Sequence, residues 1–309
     1  MRKLILLFFS LILFNQGFAQ DDQSAGDTTD YWTIGGGFNF TFSQVALNKN
    51  WVAGGQSSLS GSVLGLFYAN HKKGKTSWDN TLDLGYGLTK QGENEFVKSD
   101  DLINFASKYG QGIGKNWYAS ALVGFKSQFS VGYDEPLEFD TRKKISDFMS
   151  PGYITASLGF DFKPNDNFTV MLSPATGKFT FVLDQELADK GAFGVNPGEN
   201  SRAEFGAYLK SQYKKDNVVK NVNFLTKLEL FANYETITSV DVNWDVVVVM
   251  KINDWLSANF GTTLIYDEDV DIEVENSDGS LSVINSEIQF KQIFGLGLVV
   301  RVGERLPDK

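Results

Sequence analysis

From Trp32 onward the chain alternates between apolar and polar residues with a period of two. Trp32, Ile34, Gly36, Phe38, Phe40 and Phe42 stand against Thr33, Gly35, Gly37, Asn39, Thr41 and Ser43. Such a period sends the two sets to opposite faces of an extended strand. The pattern returns in Trp78–Thr89, Trp117–Phe129, Ile154–Phe162, Ala203–Tyr213, Val240–Ile252, Leu256–Tyr266 and Ile288–Val302. Weaker versions lie at Leu59–Ala69, Asp101–Gln111, Phe168–Phe181 and Val222–Tyr234. About twelve strands result, each long enough for the roughly 9 to 11 residues of a tilted membrane crossing. A soluble β-sandwich also alternates, but its strands run to about 5 to 6 residues, half the length seen here. The pattern predicts an all-β fold, a transmembrane antiparallel up-and-down β-barrel over residues 31–303, apolar outside and polar within.

The links between strands support that reading. Short turns are expected at His71–Lys75, Ile113–Asn116, Pro164–Asn167, Lys215–Val219 and Asn253–Asp254, and longer loops at Val45–Ser57, Gln91–Lys98, Val131–Pro151, Asp184–Ser201 and Asp267–Ser286. Only the short link Glu235–Ile237 is out of step. Outer-membrane barrels have this asymmetry, with short turns facing the periplasm. Trp32, Trp78, Trp117, Phe168 and Trp255 open strands at the turn end, and Tyr68, Tyr109, Phe162 and Tyr213 close strands there, which predicts an aromatic girdle. Ile272 and Val274 continue the parity of the last loop past Asp271 and Glu273 towards the turn residues Asn276–Gly279, so that loop is expected to be an extended hairpin. Helix-like stretches at Arg142–Met149 and Gln185–Lys190 are candidates either to plug the barrel or to cap it.

The N-terminus changes the picture of where the protein goes. Met1-Arg2-Lys3, the apolar run Leu4–Phe14 and the small residues before Gln20 describe a cleavable signal peptide, residues 1–19. The run is shorter than the roughly 20 residues of a spanning helix. A polar leader follows at 20–30, and a tail at 304–309 ends the chain. The expected destination is the outer membrane, with lipid and the barrel-insertion machinery as partners, the latter reading Phe290, Phe294 and Leu298. A net charge of -10 without basic clusters excludes nucleic acid. The absence of cysteine excludes disulfides, thiolate metal sites and a cysteine nucleophile.

Candidate chemistry sits on the polar parity. Asp79, Asp83, Asp161, Glu204, Glu229, Asp241, Asp245 and Glu287 share it with Lys108, Lys126, Arg202, Lys210, Lys227, Lys251, Lys291 and Arg301, and all are expected to line the lumen. Two readings stand side by side: an internal ion-pair network, since an unpaired buried charge costs several kcal/mol, and a charged pore lining that selects solutes. Twelve strands enclose a radius of about 12 Å before side chains fill it, between the closed eight-stranded and the wide sixteen-stranded barrels. No enzyme is expected: the single histidine, His71, falls in a predicted periplasmic turn, which leaves no His-based hydrolase site. Thr176-Gly177-Lys178 lacks the upstream glycine and the following Ser or Thr of a phosphate loop. The acidic run Asp267–Glu275 lacks the spacing and glycine of an EF-hand, so no metal and no cofactor is expected.

Trp32–Gly37, the Asn48–Gly55 segment, Trp78-Asp79-Asn80, Leu172–Lys178 and Gly191–Val195 together resemble an uncharacterised family of Bacteroidota, domain-of-unknown-function family 3078, over nearly the whole mature chain. The resemblance implies an outer-membrane β-barrel and brings no activity or ligand with it. The expected function is a narrow or gated channel or transporter for small polar solutes. The alternative is a structural barrel that binds envelope partners through its loops.

Overall fold

A computed structural model describes residues 32–48, 50, 55–134, 142–236, 239–268, 271–275, 281–285 and 287–303, with 271–275, 281–285 and 301–303 described by their backbone alone. The signal peptide, the leader, the C-terminal tail, part of the Asn48–Gly55 motif and the turn Asn276–Gly279 lie outside the described residues.

Twelve long strands form one closed antiparallel barrel. They are β1 (Trp32–Val45), β2 (Ser58–Lys73), β3 (Thr76–Gln91), β4 (Val97–Gly114), β5 (Trp117–Ser127), β8 (Gly152–Asn165), β9 (Phe168–Phe181), β10 (Ser201–Val219), β11 (Val222–Asn233), β12 (Val240–Lys251), β13 (Leu256–Tyr266) and β16 (Gln289–Gly303). Each pairs with its neighbour in the chain, and β16 closes on β1 from Gly35↔Gly303 to Phe42↔Leu296. Two ribbons stand apart on the loop side: β6 (Gly132–Tyr133) with β7 (Lys144–Ser146), and β14 (Asp271–Glu275) with β15 (Leu281–Asn285). The second is the hairpin expected in the last loop. Lys144–Ser146 is a strand where the sequence suggested helix, because it pairs with Gly132–Tyr133. Gln185–Asp189 is a short helix, α1, as its pattern suggested.

Period-two alternation decides which side each residue takes. Ile34, Phe42, Leu158, Phe205, Phe290 and Phe294 are all more than half exposed on the outer wall. A soluble monomer does not keep an apolar surface of that extent, whereas hydrocarbon requires it. At the turn end the wall carries stacked rings: Trp32 lies 5.0 Å from His71 and 5.8 Å from Trp78, and Trp117 lies 4.9 Å from Phe162. His71 is thus a residue of strand β2 on the outer face and not of the turn, which is Gly74-Lys75. Tyr68 departs from the expected girdle. It has the opposite parity to His71, pairs with the inward Gly35, and points into the lumen.

The strands run further than the alternation indicated, and the turns are correspondingly tighter. Asn116 (φ 64°) and Asn221 (φ 67°) take left-handed conformations that let two-residue turns close β4–β5 and β10–β11. The out-of-step link after β11 lies on the loop side, so its shortness does not disturb the up-and-down order.

An irregularity in β9 resets parity inside the wall. In β9, Leu172 pairs with Phe160 and Ala175 with Leu158, so Ser173 and Pro174 together face Gly159. This is a β-bulge, the place where a proline without an N–H is tolerated inside a sheet. Before it the odd residues Thr169, Met171 and Ser173 point inward; after it the even residues Thr176, Lys178 and Thr180 do. Ser173 Oγ lies 2.8 Å from the Leu158 carbonyl, Thr176 Oγ1 lies 2.8 Å from Ser173 Oγ, and Tyr234 donates to the Pro174 carbonyl at 2.6 Å. The displaced backbone groups are thereby satisfied.

A side chain at Gly159 would run into the Leu172 carbonyl, whereas one at Gly124 meets nothing closer than 3.7 Å. Gly159→Ala should therefore lower the thermal unfolding midpoint in detergent micelles, at an overpacking cost of about 1–3 kcal/mol. Gly124→Ala should leave that midpoint unchanged.

Candidate functional site

The inward-facing charges of the lumen gather into three tiers. Near the turn end Asp161, fully buried, takes Lys108 at 2.7 Å, Lys163 at 3.4 Å and the Thr169 hydroxyl at 2.8 Å. Lys163 also pairs with Asp79. In the middle Glu229 receives Lys126 at 2.6 Å and Lys210 at 2.8 Å, while Asp83 receives Lys227 at 2.6 Å and Asn104 at 3.3 Å. Asp245 accepts from Thr263 at 2.7 Å and lies within the field of Lys126. Towards the loops Lys178 holds Asp241 at 2.5 Å, Glu204 at 3.5 Å and Asp267 at 3.6 Å, and Arg202 holds Glu204 at 3.2 Å.

Several of these pairs cross the barrel. Around the ring of twelve, β3 and β11 are six places apart, so Asp83 and Lys227 belong to opposite walls. A circular barrel of twelve strands is about 24 Å across. An aspartate and an extended lysine together reach about 10 Å from their Cα atoms. Their 2.6 Å contact therefore requires an oval section, pinched between β3 and β11. Lys126–Glu229, from β5 to β11, has the same consequence. Lys214 over the ring of Tyr68, at 5.4 Å, joins the opposite strands β10 and β2 nearer the turns.

Beside the pinch the lumen is packed. Leu122, Met171, Tyr208 and Phe231 form a buried apolar cluster on the inward parity of β5, β9, β10 and β11. A cavity of about 20 Å³ remains among Leu122, Tyr208, Lys126 and Glu229, room for no more than one water. On the loop side a second cluster, Val182, Leu187, Ala188 and Val195, packs α1 against the start of the β9–β10 loop. Asp184 caps α1 by accepting from the Leu187 N–H at 3.1 Å and holds Lys144 at 2.6 Å. Arg202 donates to the Gly194 carbonyl at 3.2 Å, tying this loop to the rim.

Asp79, Asp83, Lys108, Lys126, Asp161, Glu204, Lys210, Lys227, Glu229, Asp241 and Asp245 enter these tiers with Arg202. Lys251 ends β12 at inward register opposite Ser257, clear of the tiers. Lys291 pairs with Asp100 at 2.7 Å at the exposed loop-side mouth. Glu287 precedes β16 and is exposed on the loop side. Arg301 holds an inward register opposite Gly37, and its side chain lies outside the described residues. Lys163 and Lys178 were not legible as lumen residues: the first lies past the expected end of β8, and the second follows the parity reset. The signal for the second was Pro174 within an otherwise continuous strand pattern.

Removing one end of the cross-lumen pair leaves a buried charge. Lys227→Met should cost about 3–5 kcal/mol, and adding Asp83→Leu should recover most of it. A double-mutant cycle from denaturant unfolding measures the difference. The Asp184–Lys144 tie yields a pH dependence. Its hydrogen bond to Lys144 holds the Asp184 carboxyl below its ordinary 3.8, and the same bond holds Lys144 above 10.5. A depressed carboxylate stabilises above its unfolded value and loses that contribution as pH falls through the folded one. Amide exchange across residues 182–198 should therefore be pH-independent, after correction for intrinsic rates, from neutrality down to about 4 and accelerate below it.

Residues 42–133 match the family described as "Protein of unknown function (DUF3078)", and residues 154–284 match a second, described as "Protein of unknown function, DUF481". The first match contains Trp78-Asp79-Asn80 and the Asn48–Gly55 segment; Leu172–Lys178 and Gly191–Val195 fall in the second, so the resemblance to family 3078 spans less of the chain than its motifs suggested. No curated protein matches the chain. Among solved structures, an outer membrane channel from Pseudomonas putida F1 is similar at 13% identity and a TM-score of 0.34, covering 90% of this chain and 99% of that one. OmpT, an outer membrane protein of Vibrio cholerae, is similar at 11% identity and a TM-score of 0.30, covering 90% of this chain and 100% of that one.

Proposed function

We propose that this protein resides in the outer membrane and serves as a narrow channel for small polar solutes, its bore constricted by salt bridges. The observation that carries this reading is the Lys227–Asp83 contact between opposite walls. A barrel that only needed stability could fill its lumen with apolar side chains, which bury at no desolvation cost. Here the middle tier holds three carboxylates, Asp83, Glu229 and Asp245, against three lysines, Lys126, Lys210 and Lys227. Balanced charge closes the centre without creating a field that would trap one ion.

The reading includes the absence of an enzymatic role. His71 stacks on Trp32 on the outer wall, at the parity opposite to that of the lumen tiers. A scaffolding role has its own support in the loop-side cluster around α1, a small core outside the barrel wall that offers partners an ordered surface.

Purified protein in planar lipid bilayers distinguishes the two. The channel reading expects small unitary conductance from the wild type and a several-fold larger one from the double variant Asp83→Ala with Lys227→Ala, which removes both ends of the bridge. Silent bilayers with both proteins, each shown to be folded, together with liposomes that do not swell in an uncharged polyol, would leave the scaffold.

A further inference from the structure

The pinch divides the lumen, and the two sides differ in kind. On the side of β5, β8 and β9 six inward side chains are sealed, Leu122, Ser157, Asp161, Met171, Thr176 and Thr180, each at most 2% exposed. On the side of β12, β13, β16, β1 and β2 many inward residues are partly accessible, among them Asn39, Thr41, Ser62, Leu64, Val247 and Thr263, while Asp241, Ser257 and Asn259 are buried. Gly261, Gly295 and Gly297 face inward there as well. A side chain at Gly297 would collide with Asn39 and Asn259, which hydrogen-bond to each other at 3.0 Å across it. The wall stays thin where a bulkier residue would break this amide pair.

Charge is distributed just as unevenly. Apart from Lys291 near the loop end of β16 and Lys251 and Arg301 at the turn end, the inward positions of β12, β13, β16 and β1 carry two charged residues, Asp241 and Asp245. Asp241 is held by Lys178 at 2.5 Å, and Asp245 belongs to the central tier. The rest of the wall offers hydroxyls, amides and aliphatic groups. An ion entering a narrow passage of that composition sheds water without gaining a counter-charge. An uncharged solute with hydroxyl or amide groups exchanges its water for Asn, Ser and Thr.

We infer that the conducting path is a slot along β12–β13–β16–β1–β2 and that it admits small uncharged molecules bearing hydroxyl or amide groups. This rests on the channel reading and adds to it a route and a solute class. The paired charges of the pinch and of β4, β5, β8, β9 and β10 seal the opposite side.

The absence of native cysteine permits a clean test. Thr41→Cys and Ser62→Cys place a thiol on the slot, Ser120→Cys and Ser157→Cys on the sealed side, and Asn94→Cys on an exposed loop as reference. Folding of each variant is checked by its heat-dependent electrophoretic mobility. Each is treated with neutral methyl methanethiosulfonate and with its sulfonate and trimethylammonium analogues, and rates are divided by those at Asn94→Cys. The slot thiols should react with the neutral reagent at least about tenfold faster than the sealed ones, since access limits a buried thiol. At the slot, both charged reagents should lag behind the neutral one.

Equal rates on both sides, or charged reagents entering the slot as fast as the neutral one, would overturn the inference. Liposome swelling in glycerol, before and after labelling of Thr41→Cys, separates this outcome from failure of the channel reading. Swelling that labelling blocks supports both. Swelling that persists with an inert slot thiol removes the slot and keeps the channel. A reactive slot thiol without any swelling removes the channel and, with it, the solute class.

Discussion

A charge inside a lipid-encircled wall must find an opposite charge within reach, and that constraint shapes the whole barrel. Lys227 meets it on the far wall at Asp83. A lysine and an aspartate span only about half the diameter of a round twelve-stranded barrel, so the section flattens until they touch. Lys126–Glu229 and Lys214 over Tyr68 obey the same limit at neighbouring positions. The oval section is thus the geometric consequence of satisfying charge and not a property of strand number.

Flattening brings the packed residues together. With β5, β9, β10 and β11 drawn inward, Leu122, Met171, Tyr208 and Phe231 can form a core within the lumen, a place that strand parity assigns to polar groups. The bulge at Ser173-Pro174 serves the same end. It turns Lys178 inward, where one ammonium reaches Asp241, Glu204 and Asp267. Without the extra residue Lys178 would face lipid, and these carboxylates would lose their shared cation. The opposite wall mixes glycine, small polar and aliphatic residues with few charges, and many of its inward positions are partly accessible.

Beyond the wall, the loop side is organised by a different balance. Val182, Leu187, Ala188 and Val195 bury one another, and Asp184 serves both as helix cap and as counter-ion to Lys144. Arg202 joins this assembly to the uppermost tier through Gly194 and Glu204. A connected set of contacts thereby runs from the loops into the barrel interior.

The sequence by itself determined the strands, their number and most of their outer face, because alternation is a local property carried along each strand. It also separated the helix Gln185–Asp189 and the last hairpin from the wall. It misread Lys144–Ser146, whose strand conformation comes from pairing with Gly132–Tyr133, and it placed Tyr68 outside by counting aromatics instead of parity. Partners were beyond its reach. Lys227 and Asp83 are 144 residues apart, and their contact depends on ring closure and on the shape of the section, which no local pattern encodes. Only the tertiary structure decided which charges bridge across the lumen and which inward residues are buried, because that outcome depends on distances across the barrel and not along the chain.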